Sequence, residues 1–185
     1  MTKPSDLSRL VAELRAITAE HAQPRRIIEL MRPLMAGLVP DPARADHRCG
    51  LHQGWRYLLH EEPDHGLALF AQSWPPGVAT PPHTHGTWAI IVGILGCETN
   101  TFWARTDDGN RPGHATLRKD AERPFGPGNV VTLLPDAIHS VVNTTPASTL
   151  TIHVYGRNPD HTGRARFDLD RGLEIPIASG KELVL

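Results

Sequence analysis

Apolar positions recur at helical spacing only near the start of the chain. Leu7, Leu10, Val11, Leu14 and Ile17 form one stripe over residues 5–20, the three-to-four spacing of an amphipathic helix. Ser5 is a candidate N-cap. A second helix is predicted from Pro24, a residue tolerated in a first turn. It directs Ile27, Ile28, Leu30, Met31 and Leu34 at a core. Pro33 is expected to shorten or bend its end, because proline lacks the N–H that a helix interior needs. The stretch "VPDPARADHRCG" then reads as a loop.

From Trp55 onward the period changes. Short segments rich in Val, Ile, Leu and aromatics alternate with Gly, Pro and Asp punctuation. The predicted strands are "WRYLLH", "GLALFAQSW", "WAIIVGIL", "CETNTFWAR", "VVTLLP", "IHSVVN", "STLTIHVY" and "RARFDLD". Eight or so strands with frequent turns predict a sandwich or barrel. The organisation is a helical segment over residues 1–45 packed on a β-barrel over 46–185, one domain in all.

Composition agrees with this picture and narrows the function. The 185 residues include 16 glycines and 17 prolines, as a turn-rich body requires, and 39% are hydrophobic, enough for a packed core. A formal net charge of -1 gives no footprint for nucleic acid or an anionic membrane. No apolar run reaches the ~20 residues that span a bilayer. The N-terminal residues carry acids and lack a signal-type apolar block, so a cytoplasmic location is expected. Cys49 and Cys97 are too few for a disulfide framework and are expected to be reduced and buried.

The candidate chemistry lies in "PPHTHGTWAIIVGILGCE", residues 81–98. Residues two apart on a strand share a face, so His83 and His85 point together. Neutral imidazoles at this spacing can chelate a divalent metal. A bare pair of this kind is equally a pair of surface or core histidines. A third donor is available in His139 of "LLPDAIHSVVN".

Gly77, His83, His85 and Gly96 resemble the first motif of the cupin superfamily. Pro135, His139 and Asn143 resemble its second. The resemblance implies an all-β fold, a cupin double-stranded β-helix or jelly-roll barrel, with two N-terminal α-helices added. Within cupins the chain is similar to the thiol dioxygenases that act on cysteine or 3-mercaptopropionate. That similarity runs roughly from Trp55 to Asn158 and rests on "WRYLLH", "WPPGVATPPHTHGTW", "HSVVN" and "TIHVYGRN". Most cupins place a Glu about four residues after the second His, whereas Ala89 and Ile90 stand here. Glu98 is too distant a substitute and is expected to be a solvated strand residue. The missing carboxylate fits thiol dioxygenases, whose iron resembles a three-histidine face.

The resemblance therefore implies an enzyme. Fe(II) on His83, His85 and His139 would let O2 oxidise a small carboxylated thiol to its sulfinate. Three neutral imidazoles leave the full charge on the ion, which favours an incoming thiolate. Held side by side, sulfur and dioxygen need no further encounter. Thr151, His153 and Tyr155 alternate along one strand and match a Ser-His-Tyr series of the family, in which the tyrosine hydroxyl faces the reactants. His153 is expected to orient Tyr155, and Thr151 to orient His153. Arg56 falls where cysteine dioxygenases bind a carboxylate, a bidentate match for guanidinium. Trp88 is a candidate wall of the substrate pocket or a core residue. Mammalian-type cysteine dioxygenases crosslink a cysteine to the tyrosine; the equivalent place here is Ala89, so no Cys–Tyr thioether is expected, and Cys97 reads as a small core residue. Arg157 and Arg164 are expected to be solvated, Asn143 structural, and His47, His52, His60, His65, His114 and His161 superficial.

Three other functions stay open. One is a three-histidine dioxygenase that cleaves a carbon–carbon bond, as in a diketone. Another is a non-enzymatic cupin that binds a ligand or metal. The third is a metal-dependent isomerase. Cupin motifs alone do not fix the reaction.

Overall fold

A computed structural model describes residues 6–38 and 56–178. Ser5, Cys49, Trp55, His47, His52 and the predicted loop from Val39 lie outside the described residues. Two helices come first, α1 (Asp6–Glu20) and α2 (Pro24–Ala36). Pro33 does not end α2, which runs on to Ala36; its ring sits on the exposed side. Leu10, Val11 and Leu14 of α1 and Ile27, Met31 and Met35 of α2 are buried. Leu7, in the first turn of α1, is exposed.

Ten strands follow: β1 (Arg56–Glu61), β2 (Ala68–Trp74), β3 (Ala89–Leu95), β4 (Glu98–Arg105), β5 (Leu117–Phe125), β6 (Val130–Leu133), β7 (Ile138–Val142), β8 (Thr149–Tyr155), β9 (Ala165–Asp168) and β10 (Leu173–Pro176). One sheet has the order β1-β2-β8-β3-β6 and another β5-β4-β7, both antiparallel. Residues 79–83 extend the second sheet by bridges from Ala79 to Val142 and from His83 to His139. From β2 the chain thus crosses to 79–83, back to β3, over to β4 and β5, back to β6, over to β7 and back to β8. This alternate winding between two sheets is the double-stranded β-helix, or cupin fold. β9 and β10 form a separate hairpin beside residues 82–84.

β3 explains why the sheets have two cores. Its residues are buried on both faces, so it reads as a continuous apolar run. Ile90 and Val92 join Leu69 and Val154 under the two helices. Ala89 and Ile91 join Phe70, Phe125, Leu133 and Tyr155 between the sheets. The helices therefore cover the outer face of the first sheet, and the inner face is left for chemistry. One edge of each sheet is defended. β5 is charged and mostly exposed along its length, which discourages pairing with another chain. β1 carries a register irregularity between Leu58 and His60.

Candidate metal centre

The bridge between His83 and His139 is the foundation of the site. Each backbone N–H donates to the other's carbonyl, at 2.8 and 3.1 Å. Directly paired residues project to the same face, so both imidazoles enter the interior. His85 follows two residues on. Its carbonyl accepts the Thr162 hydroxyl at 2.6 Å, and Gly86 turns the chain away with φ of +65°. A Cβ at Gly86 would stand 3.0 Å from Thr162, so glycine is required there twice over, for conformation and for space.

The three rings converge. Their centroids lie 4.5 to 5.1 Å apart, and one nitrogen of each lies within 4.8 Å of the others. All three residues are buried. His83 Nδ1 lies 3.0 Å from the Pro81 carbonyl, which can only accept, so Nδ1 carries the proton and Nε2 the lone pair. His139 Nδ1 lies 3.1 Å from Asn100 Oδ1, and its buried Nε2 has no hydrogen-bond partner. His83 Nε2 and His85 Nε2 face each other at 3.2 Å. Burial holds His83 down to about 4, and holds His85 and His139 well below the usual imidazole range. Neutral rings, tautomers fixed at His83 and His139 and an orphaned lone pair on His139 are what a cation needs from its donors, while His85 Nδ1 is buried without a hydrogen-bond partner. No Asp or Glu joins this cluster among the described residues. The donor set fits a divalent transition metal bound by three imidazoles.

Beside His85, at a centroid distance of 5.1 Å, stands the ring of Tyr155. Its hydroxyl lies 2.8 Å from His153 Nδ1, and His153 Nε2 lies 2.9 Å from the Thr151 hydroxyl. The alternation along β8 puts all three side chains inside, each buried. Thr151 also reaches the Gln72 carbonyl at 3.3 Å. Two proton arrangements satisfy this series. If Thr151 donates to Gln72, His153 donates to Thr151 and accepts from Tyr155. If Thr151 donates to His153, His153 donates to Tyr155 and frees the phenol proton. Burial lowers His153 to about 3 and pushes Tyr155 above the ordinary phenol range, so both stay neutral.

Arg56, at the start of β1, lies over the Phe70 ring at 4.5 Å from its centroid. Phe70 in turn meets Tyr155 edge-on at 5.9 Å. Arg56 also pairs with Asp160. The other carboxylate oxygen of Asp160 takes Arg164 at 2.7 Å. Arg164 is buried, not solvated as its polar sequence context suggests. One carboxylate thus bridges two guanidiniums beside the histidine cluster.

Three further expectations are corrected. Trp88 faces the helices and packs with Leu10, Leu14 and Ile27, so it is a core residue and not a wall of the histidine pocket. Alternation explains this, since its neighbour Ala89 takes the inward face. Cys97 is exposed, because Gly96 with φ of +70° turns the chain outward after β3. Glu98 is buried and not solvated. His65 and His161 lie at the surface as expected, where they stack at 3.6 Å, and Glu61 meets His65 at 2.8 Å. Asn100 escaped the sequence reading altogether, since an asparagine between two threonines carries no motif. Asn143 is fully buried, and its amide donates to the carbonyls of Trp74 and Ala147.

No family model matches the sequence. Similar solved structures include a recombinant oxalate oxidase in complex with glycolate, 18% identical, with a TM-score of 0.42 over 54% of this chain and 45% of that one. An oxalate decarboxylase from Bacillus subtilis is 20% identical, with a TM-score of 0.41 over 55% of this chain and 23% of that one. A cupin superfamily protein from Desulfitobacterium hafniense is 12% identical, with a TM-score of 0.43 over 57% of this chain and 79% of that one. The match spans less than half the length of the oxalate oxidase. The class defined by the winding and the buried cluster is a cupin-fold protein with a candidate three-histidine metal centre.

Proposed function

We propose that the protein is an Fe(II)-dependent thiol dioxygenase that converts a small carboxylated thiol to its sulfinate. The observation that carries this reading is the hydrogen-bonded series Thr151–His153–Tyr155, which ends beside a histidine cluster that no carboxylate joins among the described residues. Bound iron supplies the redox chemistry by which both atoms of O2 reach sulfur, RSH and O2 giving RSO2H with no external reductant. His83, His85 and His139 hold it as neutral donors.

The chain's own residues do the rest. Arg56 receives the substrate carboxylate, in exchange for part of its pairing with Asp160. Phe70 supports the guanidinium from below. Tyr155 donates its phenol proton into the pocket when the series runs from Thr151 to His153 to Tyr155. His153 stays neutral across the physiological range, so it orients the phenol without adding a charge. The apolar inner core, with Ala89, Ile91 and Phe125, keeps bulk water from the reacting groups.

Anaerobic loading with Fe(II), followed by oxygen uptake against a thiol panel, tests the reading. One sulfinate formed per O2 consumed is the expected result. Oxygen consumption with a diketone and none with any thiol would replace it by carbon–carbon cleavage. Arg56→Ala is expected to lower kcat/KM for cysteine by roughly 10- to 100-fold, the worth of a charge-assisted hydrogen bond, with a much smaller loss on cysteamine. Equal losses on both thiols would remove Arg56 from the carboxylate role.

A further inference from the structure

Among the described residues no carboxylate joins the histidine cluster, but one stands a step away. Glu98 and Asn100 share the inner face of β4, and both are buried. Asn100 Nδ2 donates to Glu98 Oε1 at 3.3 Å. The second oxygen, Oε2, accepts the Thr149 hydroxyl of β8 at 3.1 Å. Asn100 Oδ1 faces His139 Nδ1 at 3.1 Å. These contacts form one chain from Thr149 through Glu98 and Asn100 to His139.

An amide has one end that donates and one that accepts, and the two are nearly identical in shape. Nothing in the outline of a buried asparagine decides which end faces a neighbour. Hydrogen-bond partners decide it. Glu98 Oε1 accepts from Asn100, as a carboxylate oxygen or as the carbonyl oxygen of the neutral acid, so it takes the NH2 end of Asn100 and turns the amide carbonyl to His139. The amide carbonyl only accepts, so His139 must carry its proton on Nδ1. Its Nε2, buried and without a partner, then keeps a lone pair facing His83 and His85. With the amide reversed, NH2 would face Nδ1 and the ring proton would move to Nε2, where it blocks a cation.

From this geometry we infer that Glu98 and Asn100 are positioning residues, which act through hydrogen bonds to set the tautomer of His139 and so its competence as a metal donor. The inference rests on the reading of His139 as a ligand under the proposed function. It adds a role for two residues that touch neither metal nor substrate. His83 reaches the same tautomer by a different route, through the Pro81 carbonyl, so the device is specific to the second histidine motif. Burial raises Glu98 to about 7, which is consistent with a carboxyl kept from water.

The test uses the full chain in wild-type form, as E98L, which removes the acceptor, and as E98Q, whose carbonyl can still accept from Asn100. Co(II) affinity is measured by competition with a chelator. Nitrogen-15 NMR of labelled histidine reports the His139 tautomer in the metal-free protein, and circular dichroism checks the fold. Wild type is expected to show Nδ1–H at His139. E98L is expected to show a mixture of tautomers and about 10-fold weaker Co(II) binding, the lower end of effects from groups behind a ligand. E98Q is expected to stay within about 3-fold of wild type by the same comparison. A folded E98L with unchanged tautomer and affinity overturns the inference. So does wild type with its proton on His139 Nε2, a result that needs no variant to fold. Failure of wild type to bind Co(II) at all, with the Nδ1–H tautomer intact, instead sinks the metal-site reading and leaves the positioning of His139 standing.

Discussion

Tyr155 has a single phenol proton and two claimants, His153 and whatever occupies the pocket. Removing that proton separates the roles. Tyr155→Phe is expected to lower kcat by about 100-fold, the lower bound for loss of a placed proton donor, with bound iron unchanged. Oxygen uptake and metal analysis on the same sample check it. Under the proposed function His139→Ala should lose bound metal outright, because two imidazoles remain and no acid among the described residues joins the cluster. Glu98 makes a prediction of opposite sign to an ordinary acid. Its carboxyl sits at about 7 in the fold against 4.5 when free. The folded state then holds the proton more tightly, so its stability falls as pH rises from 4.5 toward 7 and is level above. Glu98→Gln removes that slope, by a few kcal/mol at most on the scale of ~1.4 kcal/mol per pK unit. Thermal melts of both proteins across this range show whether the difference is there.

Among the elements, α1 and α2 depend on contacts that the sequence displays openly. Leu14 is fully buried between the helices and the first sheet. Leu14→Ala is expected to cost about 2–5 kcal/mol, read as a lowered midpoint in denaturant with unchanged iron binding. The helical stripe and eight strands were legible because burial on one face or both leaves a periodic apolar trace. β5 left none. As an exposed edge strand of sequence "LRKDAERPF", it presents charges in place of alternation. β10 is a four-residue strand whose partner, β9, supplies its order. Glu98 looked solvated because a carboxylate in a strand is usually outside, and only the partners from β8 and β4 make its burial tolerable. Arg164 misled in the same way, since Asp160 is its nearby partner and a pairing across a turn leaves no pattern. The histidine pair, by contrast, was legible from spacing two, which any strand converts to a shared face.

For the molecule as a whole, four interior histidines set an acid limit. His83, His85, His139 and His153 are all held neutral by burial, below the free value of 6.5. Unfolding lets each take a proton as pH drops through that value. Their contribution to stability is complete above 6.5 and is lost progressively as pH falls to about 4 and below. The metal-free protein is expected to unfold with uptake of several protons in this window, which melts in a pH series and potentiometric titration can count. No helix among the described residues is long and apolar enough to cross a membrane. One pairing inside the barrel has a consequence for how the protein ages. Ala89 lies directly across from Tyr155 in the ladder between β3 and β8. A methyl group there offers no sulfur to weld to the phenol, so under the proposed function turnover forms no thioether at this pairing. The first catalytic cycle and the thousandth should run at one rate, without a lag while a bond is installed, and the used protein should migrate as a single band on a denaturing gel.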